Sequence, residues 1–218
     1  MKKRLAAALL LLLLFSSYKP QKFFLSNKFK IEEIKIENNY ILKDGTIKKK
    51  LIYLYDANLF FLDNTEIKKT FEKVDFIESF EIKKIYPNKL KIKIFEKKPI
   101  AILHHNKKRF YISENIDLIK YIDIENYRDL PTVFGKKENF KILYENLKKI
   151  NFPLDLIKKY YLYESNRWDL ETYQKKVVKL PAKNYIKSLE NFMNLQQKNN
   201  FGKYKVFDYR INNQLILR

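Results

Sequence analysis

The sequence predicts an α+β protein: an apolar N-terminal segment, a small domain with elements in the order β-α-α-β-β, and a larger domain built on a curved antiparallel sheet with two helices. Three patterns carry this reading. In Phe80 to Ala101, Phe80 and Ile82 alternate with polar residues, Pro87-Asn88 supplies a turn, and Leu90, Ile92 and Ile94 alternate again with Lys89, Lys91 and Lys93, which makes a hairpin with one dry face. An earlier alternating run, FKIEEIKIENN from Phe29, is separated from this hairpin by two stretches with helical spacing. After Pro99 the pattern changes to short alternating runs interrupted by two longer amphipathic stretches.

At the N-terminus, Lys2-Lys3-Arg4 precedes a wholly apolar run from Leu5 to Phe15, followed by Ser16, Ser17, Tyr18, Lys19 and Pro20. Two readings fit. As a signal peptide the run has the length of an h-region but lacks an Ala-x-Ala-like cleavage pair. As an uncleaved anchor it is short against the roughly 20 residues of an ordinary span, a deficit that bilayer thinning and snorkelling lysines offset. In either case the basic residues ahead of it keep the N-terminus in the cytoplasm and send the body across the membrane. A polar connector runs to about Asn27.

The small domain expects strands at 30 to 37, 77 to 86 and 89 to 97. Its first helix begins after Lys43-Asp44-Gly45-Thr46, with Ile47, Leu51 and Leu54 on one face. The second has Asp63 as N-cap and Glu66 three residues on in a capping-box arrangement, followed by Ile67, Phe71 and Val74. Phe60 and Leu62, between the helices, are expected to plug the core.

In the larger domain, IAILHH, RFYISENIDLIKYI, YYLYES, RWDLETY and KKVVKLP read as successive strands, with turn chemistry at Ser113-Glu114-Asn115 or Asp117. Phe140, Leu143, Leu147 and Ile150 give one helix; Ala182, Leu189, Phe192 and Leu195, with Tyr185 beside them, give another. KVFDYRINNQLILR closes the domain as two strands turning at Asn212-Asn213.

Composition narrows the function. The 218 residues are 46% hydrophobic and 16% aromatic, ample for packed cores, and carry a formal charge of +20. The basic residues are dispersed and nearly all lysine, the arginines being Arg4, Arg109, Arg128, Arg167, Arg210 and Arg218. Dispersed lysines suit solvated faces and blunted strand edges better than a specific nucleic-acid groove. Catalysis has little to work with: the two histidines, His104 and His105, are neighbours on a strand and point to opposite faces, so they share no metal. There is no Cys, no Gly-rich phosphate loop and no Gly-x-Ser-x-Gly. The reading is of no enzyme, metal or cofactor, and of a protein that works through its surfaces.

The β-α-α-β-β order resembles a POTRA domain, and the wording of the hairpin, a strand ending in basic residue, aromatic and Pro, then Leu-x-Ile-x-Ile running into Glu96-Lys97-Lys98-Pro99-Ile100-Ala101, is similar to the FtsQ/DivIB family of bacterial division proteins. Further pieces follow in order: Leu130-Pro131-Thr132-Val133-Phe134-Gly135, resembling a family loop; Ser165 with Arg167-Trp168; Lys179-Leu180-Pro181; and Asp208-Tyr209-Arg210. The chain departs from the family in its short apolar run, in TYQKK where a Gly-containing turn is usual, and in a very short cytoplasmic tail. The resemblance implies a cytoplasmic N-terminus at 1–4, a membrane anchor at 5–18, a linker at 19–27, a POTRA domain at 28–98 and an FtsQ-type β domain at 99–218. It also implies a single-pass inner-membrane protein with a periplasmic body at the division septum, binding FtsB and FtsL, with other divisome membrane proteins as further candidates. The partner strand would add beside the last strand, where the matching positions are Arg167, Tyr209, Arg210, Ile211, Leu215, Ile216 and Leu217, with Asp208 and Trp168 structural. A second edge, around Ile85 to Phe95, would be open in the POTRA domain. Two other readings compete: a POTRA-containing outer-membrane assembly or secretion factor, disfavoured because no run of barrel strands follows, and a basic binder of anionic polymer or lipid surface.

Overall fold

The computed structural model describes Leu12 and residues 28–55, 57–211 and 214–218. The expected anchor, apart from Leu12, and the linker lie outside these residues, as does the Asn212-Asn213 turn. Among the described residues no helix is long and apolar enough to cross a membrane. The chain divides between Glu96 and Lys97 into two compact units.

In the first unit, β1 (Glu33–Glu37), α1 (Asp44–Lys50), α2 (Asn64–Phe71), β2 (Ile77–Ile85) and β3 (Lys89–Glu96) follow the expected order. The sheet runs β1-β3-β2, with β1 parallel to β3 and β2 antiparallel to it. Central β3 therefore buries Leu90, Ile92 and Ile94 completely against Ile47, Leu51, Ile67 and Phe71 of the helical layer. The expected edge at Ile85 to Phe95 is corrected accordingly: Phe95 sits on the central strand, and of that hairpin only β2, which carries Ile85, is an edge strand. The α2 cap also differs in detail, because Asp63 accepts the backbone N–H of Thr65 at 3.0 Å and its hydroxyl at 2.9 Å, one position short of Glu66. Where β3 ends, the Glu96 carboxylate accepts three consecutive amides, from Tyr40 (3.0 Å), Ile41 (2.8 Å) and Leu42 (2.8 Å), and so fixes the loop that leads into α1.

The second unit holds β4 (Pro99–His105), β5 (Lys108–Ser113), β6 (Leu118–Lys120), β7 (Thr132–Phe134), α3 (Lys137–Lys149), β8 (Ile157–Leu162), β9 (Trp168–Thr172), β10 (Val177–Lys179), α4 (Ile186–Gln196), β11 (Val206–Asp208) and β12 (Ile216–Leu217). They form one nine-stranded sheet ordered β12-β11-β10-β9-β8-β7-β4-β5-β6. The expectation of an antiparallel sheet is corrected to a mixed one, with β4 to β7, β7 to β8 and β10 to β11 parallel. The two helices account for two of these pairings. Each connects strands that must run the same way, β7 to β8 through α3 and, via β10, to β11 through α4, and a helix is the usual means of returning a chain for parallel pairing. LPTVFG, expected as a loop, supplies β7.

Local chemistry explains the boundaries. Ser113 and Asp117 close the β5 to β6 turn, the Ser113 N–H donating to the Asp117 carbonyl and its Oγ accepting the Asp117 N–H, both at 3.0 Å. α3 ends in a Schellman motif: Asn151 takes φ 52°, the Phe152 N–H donates to the Leu147 carbonyl (2.9 Å) and the Asn151 N–H to that of Lys148 (3.0 Å). α4 starts at Ile186 and leaves Ala182 outside, because Asn184 at φ 58° is not helical. Both helices bury one face, Phe140, Leu143 and Leu147 on α3 and Leu189, Phe192 and Leu195 on α4, against Val133, Tyr160, Leu170, Val178 and Phe207 of the sheet.

Candidate partner-binding edge

Strand alternation sends Leu103, Val133, Tyr160, Leu170, Val178 and Phe207 into the core, so their neighbours occupy the opposite face. There the register aligns Phe134, Tyr161, Asp169, Lys179, Asp208 and Ile216 in one row running across the sheet to β12. The row begins aromatic, with the Phe134 and Tyr161 rings stacked at 5.0 Å, is charged from Asp169 to Asp208, and ends at Ile216.

The charged part holds two arginine–aspartate pairs. Arg210 grips buried Asp208 through Nε (2.8 Å) and Nη2 (2.6 Å), and its backbone N–H donates to the same carboxylate at 3.1 Å. Arg167 donates from Nε to Asp169 at 3.2 Å and lies over the Tyr163 ring at 4.3 Å. Because β9 and β11 run in opposite directions, Arg167, before Asp169, and Arg210, after Asp208, emerge at the same end of the row. Arg210 accordingly also feels the Asp169 carboxylate and the Tyr163 hydroxyl. The two aspartates respond differently. Arg210's hydrogen bonds hold Asp208 below its ordinary pKa, whereas burial pushes Asp169 up against the opposing pull of Arg167.

Among the described residues the edge strand is short and anchored on one side only. The Arg218 N–H donates to the Val206 carbonyl at 3.1 Å and the Arg218 carbonyl accepts from the Val206 N–H at 2.9 Å, which makes that pair hydrogen-bonded and the adjacent Phe207 and Leu217 pair non-hydrogen-bonded. By antiparallel alternation, the Leu217 N–H and carbonyl point away from β11, toward the open edge. Leu215 and Leu217 pack on the core, while Ile216 and Ile211 are exposed. Tyr209 stands apart from the other expected contact residues: at 6% exposure it is a core residue, its hydroxyl donating to Asn191 at 2.8 Å and its pKa raised by burial. Trp168 and Asp208 are buried, as expected. Asp169, Tyr163 and Lys179 were not singled out from sequence as contact residues. The Arg-x-Asp spacing at 167–169 was visible there, but the register that sets Lys179 between two aspartates was not.

Elsewhere, His104 packs against Phe134 at 5.1 Å, and burial, then Arg109, lowers its pKa; His105 lies 3.1 Å from Asn106. Phe60, expected to plug the first core, is 61% exposed; Leu59, fully buried, is the plug.

Residues 29–97 match the profile of the POTRA domain, FtsQ-type. The chain is 29% identical over 194 residues to the cell division protein FtsQ of Rickettsia bellii, covering 87% of this chain and 72% of that protein, and 29% identical over 195 residues to FtsQ of Rickettsia typhi, covering 87% and 73%. A search of solved structures returns the major extracytoplasmic domain of the trans isomer of the division protein DivIB from Geobacillus stearothermophilus, at 12% identity and a TM-score of 0.33, covering 50% of this chain and 98% of that one. The first unit is thus a POTRA domain of the FtsQ type, and along most of its length the chain is similar to cell division proteins named FtsQ.

Proposed function

We propose that this chain is a single-pass inner-membrane division scaffold, its body periplasmic, that holds FtsB- and FtsL-type partners at the septum by strand addition to β12, with no catalysis and no cofactor. The observation that carries the reading is the outward-facing Leu217 N–H and carbonyl beside two arginines at one end of the same sheet face. An added strand would take up the open backbone groups, and its carboxylates would meet Arg167 and Arg210. Arg167 engages Asp169 through Nε and stacks on Tyr163, while Arg210, the more exposed of the two, commits two nitrogens to Asp208. Ile211 and Ile216 supply exposed apolar surface to cover such pairs. The domain limits, POTRA at 28–98 and β domain at 99–218, and a second contact at the β2 edge for another divisome membrane protein, belong to the same proposal.

The test is binding of the full chain in detergent to the periplasmic segments of its own FtsB- and FtsL-type partners. Leu217→Pro removes the outward N–H and Arg167→Glu reverses a charge; each is expected to weaken binding about tenfold or more, equivalent to about 1.4 kcal/mol. Thermal melts of both variants report whether the sheet survives. Native affinity in a folded Leu217→Pro variant would exclude strand addition at this edge.

A further inference from the structure

We propose that the aromatic cluster on the first unit, Phe29, Phe60, Phe61 and Tyr86, is a membrane-contact surface that seats this unit on an anionic bilayer; the inference rests on reading residues 5–18 as a membrane anchor. Phe60 is 61%, Phe61 75% and Tyr86 53% exposed, although each belongs to a residue class that folding ordinarily hides. They are gathered: the Phe29 ring lies 5.9 Å from Tyr86 and 6.4 Å from Phe60, and Phe60 lies 5.2 Å from Phe61.

The surface is held in place. The Lys84 ammonium donates to the Leu62 carbonyl at 2.9 Å and reaches that of Phe60 at 3.5 Å, the Phe60 N–H donates to Asn58 Oδ1 at 2.9 Å, and the Leu59 N–H donates to the Phe29 carbonyl at 2.7 Å. Below it Leu59 fills the core, so the loop directs one apolar residue inward and the next two outward.

Two features select a bilayer as the occupant. Charge is the first: Lys28 and Lys30 flank Phe29 in an exposed stretch and Lys84 braces the loop, while of the neighbouring acids Asp63 is engaged in the α2 cap and Glu32 with Asn88. Aromatic rings set among lysines suit the headgroup region, where the ring straddles the apolar boundary and the ammonium meets lipid phosphate. Chain length is the second. Phe29 follows the last residue of the apolar run, Phe15, by 14 positions, a stretch that spans at most about 50 Å when fully extended. The tether is therefore short enough to keep the cluster within reach of the surface it would touch.

The sequence has no cysteine, so single substitutions give unique labelling sites in the full chain. Phe61→Cys, Leu10→Cys and Tyr40→Cys carry a nitroxide into vesicles of phosphatidylglycerol and phosphatidylcholine, where collision with oxygen and with a water-soluble nickel chelate reports depth. Tyr40, 86% exposed on the same unit, is the reference for water. The expected result is a Leu10 label deep in the bilayer, a Tyr40 label in water, and a Phe61 label at headgroup depth with a several-fold higher oxygen-to-nickel ratio than Tyr40, the difference shrinking in vesicles of phosphatidylcholine alone. A water-like Phe61 label beside a deep Leu10 label overturns the contact surface and leaves the anchor. Water-like signals at both positions overturn both. A Phe61 label shielded from both reagents and broadened by a second spin overturns the membrane contact in favour of a second copy of the chain.

Discussion

Arg210 and Asp208 grip each other across one intervening residue, with two side-chain hydrogen bonds and one from the Arg210 backbone converging on a carboxylate that is almost wholly buried. Asp208 gains the charged form from this pairing, so its folded pKa lies below its ordinary 3.8. Its contribution to stability is then fully present above that value and is lost as pH falls through the lower folded pKa. Asp208→Asn is expected to cost about 2 kcal/mol near neutrality and to remove that acid limb. Melting curves from pH 2.5 to 7 check both.

Asp169 has the opposite sign. Burial raises its folded pKa, so its ionisation opposes folding, and what stability it gives is complete below 3.8 and lost as pH rises through the raised folded value. Asp169→Asn should therefore cost less at pH 7 than Asp208→Asn, in the same melting series. Equal losses in the two variants would contradict the different environments of the two pairs.

Gly135 is required by space. A Cβ there would lie 2.8 Å from the Leu162 Cβ and 3.3 Å from the Trp168 ring. Gly135→Ala must displace β8 or the indole and is expected to cost about 1–3 kcal/mol. A change in Trp168 fluorescence accompanying the loss would locate the strain.

Lys175 stands at φ 62°, the left-handed position of the turn closed by the Thr172 N–H to the Lys176 carbonyl at 2.8 Å. This is where a glycine costs nothing sterically, and Lys175→Gly is expected to stabilise the fold by about 0.5–1 kcal/mol, less what glycine's freer unfolded chain takes back. Chemical denaturation measures the net change.

Glu96 gathers three successive amides from the loop ahead of α1. Glu96→Gln retains one acceptor oxygen and loses the charge, and about 2 kcal/mol of local stability should go with it. Faster hydrogen exchange at Tyr40, Ile41 and Leu42 than at buried Ile92 is the expected signature.

Sequence periodicity disclosed the first unit almost completely because each of its strands and helices has a single buried face, and one face leaves a regular pattern. It failed at β7, where a three-residue strand between Pro131 and Gly135 is too short to show a period and looks like a turn. It failed again at Phe60, because four apolar residues from Leu59 to Leu62 do not say which of them face inward; the Phe29 backbone bond and the Lys84 brace decide that. At the candidate edge the arginines were legible one by one. Their convergence at one end of the row depends on β9 and β11 running oppositely, which follows from the helical crossover through α4 and has no local signature.

The position of β7 also sets the order in which the larger sheet can assemble. Adjacent hairpins join β4 to β5 and β8 to β9, so either side forms from contacts near in sequence. Joining the sides requires β7 to pair with Ile102 to His104 and with Lys159 to Tyr161, partners roughly thirty residues away on each side. Loop closure of that length is paid before three short rungs return it. Seating Thr132, Val133 and Phe134, like the parallel pairing of Val177 with Val206 through α4, is thus expected among the slow events in folding this unit, and changes at either place are expected to alter folding rate more than changes in the β8 to β9 hairpin.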